Sequence, residues 1–110
     1  KYGKVEKSYD GHPRYSLVEG DAKNVGLMKE LTADADCVLA AAAMIGGISY
    51  FHERAYDLLA ENERIMASTF DAAIWAHKNR KLKKITVLSS SMVYESSPVF
   101  PTPEGEQRKS

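Results

Sequence analysis

Two brief apolar runs, at residues 37–42 and 84–89, stand on either side of a long segment with helical periodicity. That spacing constrains the fold more than any other feature. Short continuous apolar strands are what a sheet buried on both faces requires, and parallel neighbours must be joined by a crossover of a dozen residues or more. A third such run, at residues 15–18, precedes a shorter helical pattern over 24–32 that puts Leu27, Met28 and Leu31 on one face. Asp21 or Asn24 is placed to cap that helix. In the long segment, 55–79, Leu58, Leu59, Ile65, Met66, Phe70, Ala73 and Ile74 recur at helical spacing. Strands alternating with helices predict an α/β fold with a parallel sheet.

The 110 residues are 44% apolar and 27% charged, the make-up of one globular domain at most, and 15 basic residues offset 15 acidic ones. A neutral total predicts no nucleic-acid or membrane partner, since no global field draws the chain to either. The basic run from His77 to Lys84 reads as the solvated end of the long helix, where cations meet the helix dipole favourably. The apolar stretch 38–45 is far shorter than the roughly 20 residues that span a bilayer. With one cysteine, Cys37, no intramolecular disulfide is possible, which fits a reducing, cytoplasmic setting. His12, His52 and His77 lack metal-ligand spacing, so no metal site is expected. No Gly-x-Ser-x-Gly elbow surrounds the serines, which argues against a hydrolase of that type.

The chemistry concentrates at residues 83–96, KKITVLSSSMVYES, where an apolar strand runs into three serines. In a doubly wound sheet, ligands bind in the crevice at the carboxyl ends of the strands, so hydroxyls there lie within reach of one. Asn62 is the second oddity. It falls four residues after Leu58 and four before Met66, inside the apolar stripe, and an amide there needs hydrogen-bond partners. Residues 96–110, with three prolines and a glycine, read as a loop.

Four segments, YSLVEGDAKN, VLAAAAMIGGI, LLAENERIMASTFDAA and KKITVLSSSMVYES, follow one another in an order and spacing that resembles the extended short-chain dehydrogenases/reductases of the NAD-dependent nucleotide-sugar epimerase/dehydratase family. Within that family AAAMIGGI looks most like the branch with GDP-sugar epimerases and GDP-fucose synthase. The resemblance implies a Rossmann-like fold, NAD or NADP as cofactor, a nucleotide-sugar substrate, hydride exchange at a sugar carbon and a homodimer. The alternative is a non-catalytic dinucleotide-binding or interaction module on the same fold.

Carried over residue by residue, the resemblance makes Ser90 the hydroxyl that bonds the reacting sugar oxygen, with Ser89 and Ser91 exchanging roles with it if the register shifts by one. Ser89 is otherwise assigned to the cofactor and Ser91 to the substrate. Asp21 would meet the adenine amino group, alone or together with a capping role. Ala41 and Ala42 would lie against the cofactor, and Asn62 would bond main chain beside it. Gly46 and Gly47 would leave room for a sugar or supply unusual dihedrals. Tyr94 would stand near the substrate or pack in the core, and Met44 takes a place where many relatives carry lysine.

The family's glycine-rich phosphate loop and its Tyr-x-x-x-Lys pair have no counterpart in residues 1–110. In the strand order 3-2-1-4-5-6 the three runs would be the third, fourth and fifth strands. The expectation is therefore that residues 1–110 are part of an NAD(P)-binding domain within a longer chain, inactive by themselves.

Overall fold

A computed structural model describes residues 8–94 and 96–106 of the chain. Its elements are α1 (Val25–Thr32), β1 (Cys37–Ala40), α2 (Ile48–Glu53), α3 (Ala55–Asn79), β2 (Lys84–Val87) and a 3-10 turn at Ser91–Tyr94. β1 and β2 form a parallel pair in the register Cys37 to Lys84 through Ala40 to Val87. The unit is a βαβ crossover, and with α1 and α3 packed together beside the sheet the α/β class stands.

α1 starts where Asn24 caps it. The Asn24 Oδ1 accepts a hydrogen bond from the Leu27 N–H at 3.1 Å, satisfying one amide that has no partner inside the helix. Asp21 bonds the Lys23 N–H instead, so the cap falls to Asn24 of the two candidates. Thr32 turns its hydroxyl back to the Met28 carbonyl at 2.8 Å and is buried, while Leu31 is exposed. Leu27 and Met28 are half-buried as expected, and Thr32 rather than Leu31 completes the inward face of α1.

α3 runs for 25 residues with no glycine or proline to interrupt it. Asp57 lies in its first turn and His77 and Lys78 in its last, signs that suit the helix dipole. Its buried face is made largely of small side chains: Ser68, Thr69, Ala72, Ala73 and Ala76, with Leu58 near the start. Leu59, Phe70 and Ile74, expected on the same stripe, form a second and exposed apolar strip part of a turn away. Ala73, Ala76 and Leu82 make the core, against which Ala35, Val38, Trp75 and Ile85 pack. His77 fastens the α3–β2 turn by donating from Nδ1 to the Leu82 carbonyl at 2.8 Å, an acceptor that places the proton on that nitrogen.

Three expectations need correcting. Residues 15–18 are not a strand, because a strand exists through a hydrogen-bonded neighbour and no described segment pairs with them. Both remaining strands end two residues early, at Ala40 and Val87. The last rung of the ladder is the Leu88 N–H to the Ala40 carbonyl, 3.1 Å, and beyond it the main chain at Met44 bonds the Asn62 side chain instead of a strand. The short helix α2 was not apparent in the sequence, where six residues after Gly-Gly give too little periodicity to register. Residues 96–106 hold turns, as expected of a loop, and 107–110 lie outside the described residues.

Candidate functional site

A cleft of about 550 Å3 opens at the carboxyl ends of β1 and β2. Ala41, Ala42 and Ala43 form its floor. One wall is the two turns of α3 carrying Asn62, Ile65, Met66 and Thr69, and Leu88, Ser89 and Ser90 also line the cleft. The parallel register determines this arrangement: Ala40 and Val87 are partners, so whatever follows each strand emerges at the same edge. Five of the residues singled out from the sequence, Ala41, Ala42, Asn62, Ser89 and Ser90, therefore line one space.

Asn62 is the fastening of that space. Its Oδ1 accepts from the Met44 N–H at 2.7 Å, and its Nδ2 donates to the Met44 carbonyl at 3.0 Å. One side-chain amide satisfies both polar groups of a loop residue, as a neighbouring strand would. The loop after β1 is thereby held to α3, and the three alanines stay spread across the cleft floor.

The other candidates stand apart from the lining. Gly46 and Gly47 have ordinary negative φ values; among the described residues positive φ occurs at Gly11 and Gly105. Unusual dihedrals are thus not their purpose. A Cβ at Gly46 would collide with the ring of Tyr50, so its missing side chain makes room for α2, whose N-cap is Gly47. Ser91 begins the 3-10 turn and Tyr94 ends it, half-buried, with the Tyr94 carbonyl accepting from the Ser97 N–H at 2.9 Å.

Asp21 lies on the loop before α1, in a chain of charges. Its Oδ1 accepts from the Lys23 N–H at 2.9 Å, and its Oδ2 pairs with the Lys23 ammonium at 3.1 Å. The same ammonium lies 2.6 Å from Glu61 Oε2, whose other oxygen accepts from Arg64 at 2.9 Å. Lys23, through its main-chain and side-chain bonds, holds the Asp21 carboxyl below its ordinary value. Lys23 does the same to Glu61, and Glu61 first and Asp21 second push the Lys23 ammonium up. Neither Lys23 nor Glu61 was singled out in the sequence, although Glu61 is the neighbour of Asn62. Met28, Ile65 and Met66, which helical spacing marks as packing, also line the cleft, as does Thr69.

A cavity of about 450 Å3 at the other end of β2, between Phe70, Ile74, His77 and Ile85, contains none of the candidates. Among the described residues no group of His, Cys, Asp or Glu is arranged to hold a metal ion. No described helix is long and apolar enough to cross a membrane.

The cleft suits a nicotinamide dinucleotide on two counts. Alanine methyls let a flat, extended ligand approach the main chain, and a volume of this size lies in the range of small-molecule sites. Neither a curated protein nor a solved structure matches the chain. The profile of the NAD dependent epimerase/dehydratase family, however, matches residues 2–110, and with a parallel βαβ unit that opens on a small-residue cleft at its carboxyl edge, the chain belongs to that family of nicotinamide-dependent enzymes.

Proposed function

We propose that the protein acts on a nucleotide sugar, as an epimerase, dehydratase or reductase that exchanges hydride between a sugar carbon and NAD or NADP. The observation that carries this reading is the convergence of Ala41, Ala42, Ser89 and Ser90 on one cleft at the ends of two parallel strands. In it Ala41 and Ala42 take the cofactor's near face and Ser89 bonds its polar edge. Asn62 keeps the floor in place. Bound there, the dinucleotide supplies hydride acceptance and donation.

Ser90 then serves the proton. A carbinol carbon loses hydride only as its hydroxyl loses a proton, and a hydroxyl fixed beside it orients that oxygen and lowers the barrier. Ser91, Gly46, Gly47 and Tyr94 lie on the continuation of the same two loops and are assigned to the sugar and its nucleotide. Asp21 is assigned to the adenine amino group. Residues 1–110 form part of an NAD(P)-binding domain, and the exposed strip of Leu59, Phe70 and Ile74 on α3 supports a homodimer that pairs through this helix. A cytoplasmic location accords with these substrates.

The test is Ser90→Ala in the full-length protein with nucleotide sugars as substrates. Turnover is expected to fall about 10²-fold with dinucleotide affinity kept, the size of a lost proton-transfer partner. Unchanged turnover removes Ser90 from the reaction. Tight dinucleotide binding with no turnover on any nucleotide sugar would establish instead a non-catalytic binding module.

A further inference from the structure

Two consecutive residues of α3 hold two different loops. Asn62 ties the loop after β1 through Met44, and Glu61 ties the loop before α1 through Lys23. The second tie ends on a carboxylate. Asp21 keeps 59% of its side chain in solvent, yet both its oxygens are fixed by the single residue Lys23, which is itself anchored to Glu61 at 2.6 Å. An exposed aspartate ordinarily samples several rotamers; this one is held by the Lys23 N–H within its own turn and by the Lys23 ammonium, which Glu61 anchors to α3. Each of its oxygens accepts one bond and retains capacity for a second.

Ion pairs this close to solvent add only a little stability. What fixed geometry supplies is affinity and selectivity, because the ordering cost is met before the ligand arrives. We infer that Lys23 and Glu61 are positioning residues for the purine end of the dinucleotide, orienting the Asp21 carboxylate to accept from an exocyclic amino group. This rests on the reading that Asp21 meets adenine, and adds to it the pair through which α3 sets the angle of that contact.

The discriminating probe is NAD+ against its hypoxanthine analogue, in which the amino donor is replaced by a carbonyl oxygen. With the full-length protein in a calorimeter, NAD+ is expected to bind about tenfold more tightly, the worth of one hydrogen bond to a charged acceptor. Lys23→Met and Glu61→Gln are expected to reduce that preference to about threefold or less, chiefly by weakening NAD+, while Lys23→Arg retains it. Thermal melts of each variant establish that it is folded. Equal weakening of both dinucleotides, or an unchanged preference, overturns the positioning role while leaving the Asp21 contact intact. A wild type that binds both dinucleotides equally overturns the Asp21 contact itself and the inference with it. A wild type that binds neither overturns the dinucleotide reading.

Discussion

At the scale of single residues, the side chain on which most depends is an amide. Asn62 was conspicuous in the sequence because an amide inside an apolar stripe has to find partners. Which partners it finds was not legible, because Met44 lies 18 positions away and the approach of the two depends on how the chain leaves β1. Neutral hydrogen bonds are each worth about 0.5–1.5 kcal/mol net, so Asn62→Ala, which removes two, is expected to cost about 1–3 kcal/mol. Asn62→Asp separates the two. It keeps an acceptor for the Met44 N–H but sets a carboxylate oxygen, in place of a donor, against the Met44 carbonyl. The aspartate variant should therefore be no more stable than the alanine one at neutral pH. Urea midpoints with unchanged slopes provide the measurement, and an aspartate variant as stable as wild type would show that the carbonyl contact carries no weight.

Elements show more clearly what pattern can and cannot tell. The extent of α3 was readable to the residue, because 25 positions without a breaker leave little choice. The face it buries was readable in part: Leu58 and Ala73 are buried and Ile65 and Met66 half-buried, as the spacing implied. Hydrophobicity pointed to Leu59, Phe70 and Ile74, whereas the sheet and α1 approach so closely that alanine, serine and threonine fill the contact and the large side chains remain outside. Close approach follows from packing, which a periodicity count does not contain. Ala76, with 0% of its surface exposed, measures it: Ala76→Leu adds three carbons to a filled space and is expected to cost about 1–3 kcal/mol. Leu59→Ala, at 61% exposure, should change stability by less than about 0.5 kcal/mol. Similar costs at the two sites, read from thermal melts, would place the buried face elsewhere. The tie between α1's leading loop and α3 has a signature in pH. Lys23 holds the Glu61 carboxyl below its ordinary 4.5, so the folded state is the weaker proton binder and the pair's contribution is complete above that pH. It fades as pH falls through the depressed value. The Lys23 ammonium is raised above 10.5, so at the alkaline end the contribution is complete below 10.5 and fades as pH climbs through the raised value. The difference in urea midpoint between wild type and Glu61→Gln should accordingly be flat across neutral pH and narrow below about 4.5. A difference that widens in acid contradicts the depressed carboxyl.

For the molecule as a whole, the telling quantity is its surface. A monomer of 12.2 kDa ordinarily exposes roughly 6,000 Å2 and has a radius of gyration near 13 Å, whereas this chain exposes 9251 Å2 with a radius of 17.1 Å. The class of fold was legible because alternating strands and helices allow few arrangements. The openness of the cleft was not, because it depends on what stands beside β1 rather than on β1's own residues. Leu39 and Leu88, 66% and 60% exposed, both line the cleft, and Leu59 and Ile74 face solvent on α3. Apolar surface of that extent binds a hydrophobic dye such as anilinonaphthalene sulfonate without any unfolding. The 110-residue chain at neutral pH is therefore expected to enhance the dye's fluorescence, with Leu39→Ser and Leu88→Ser each reducing the enhancement. Because the cleft is also where the dinucleotide is assigned, NAD+ added to the full-length protein should displace dye from the Leu39 and Leu88 side only. The fluorescence removed by Leu59→Ser on α3 belongs to the fraction NAD+ leaves in place. Displacement of all the dye by NAD+, or of none, would separate the apolar cleft from the cofactor site and move the search for that site away from the ends of β1 and β2.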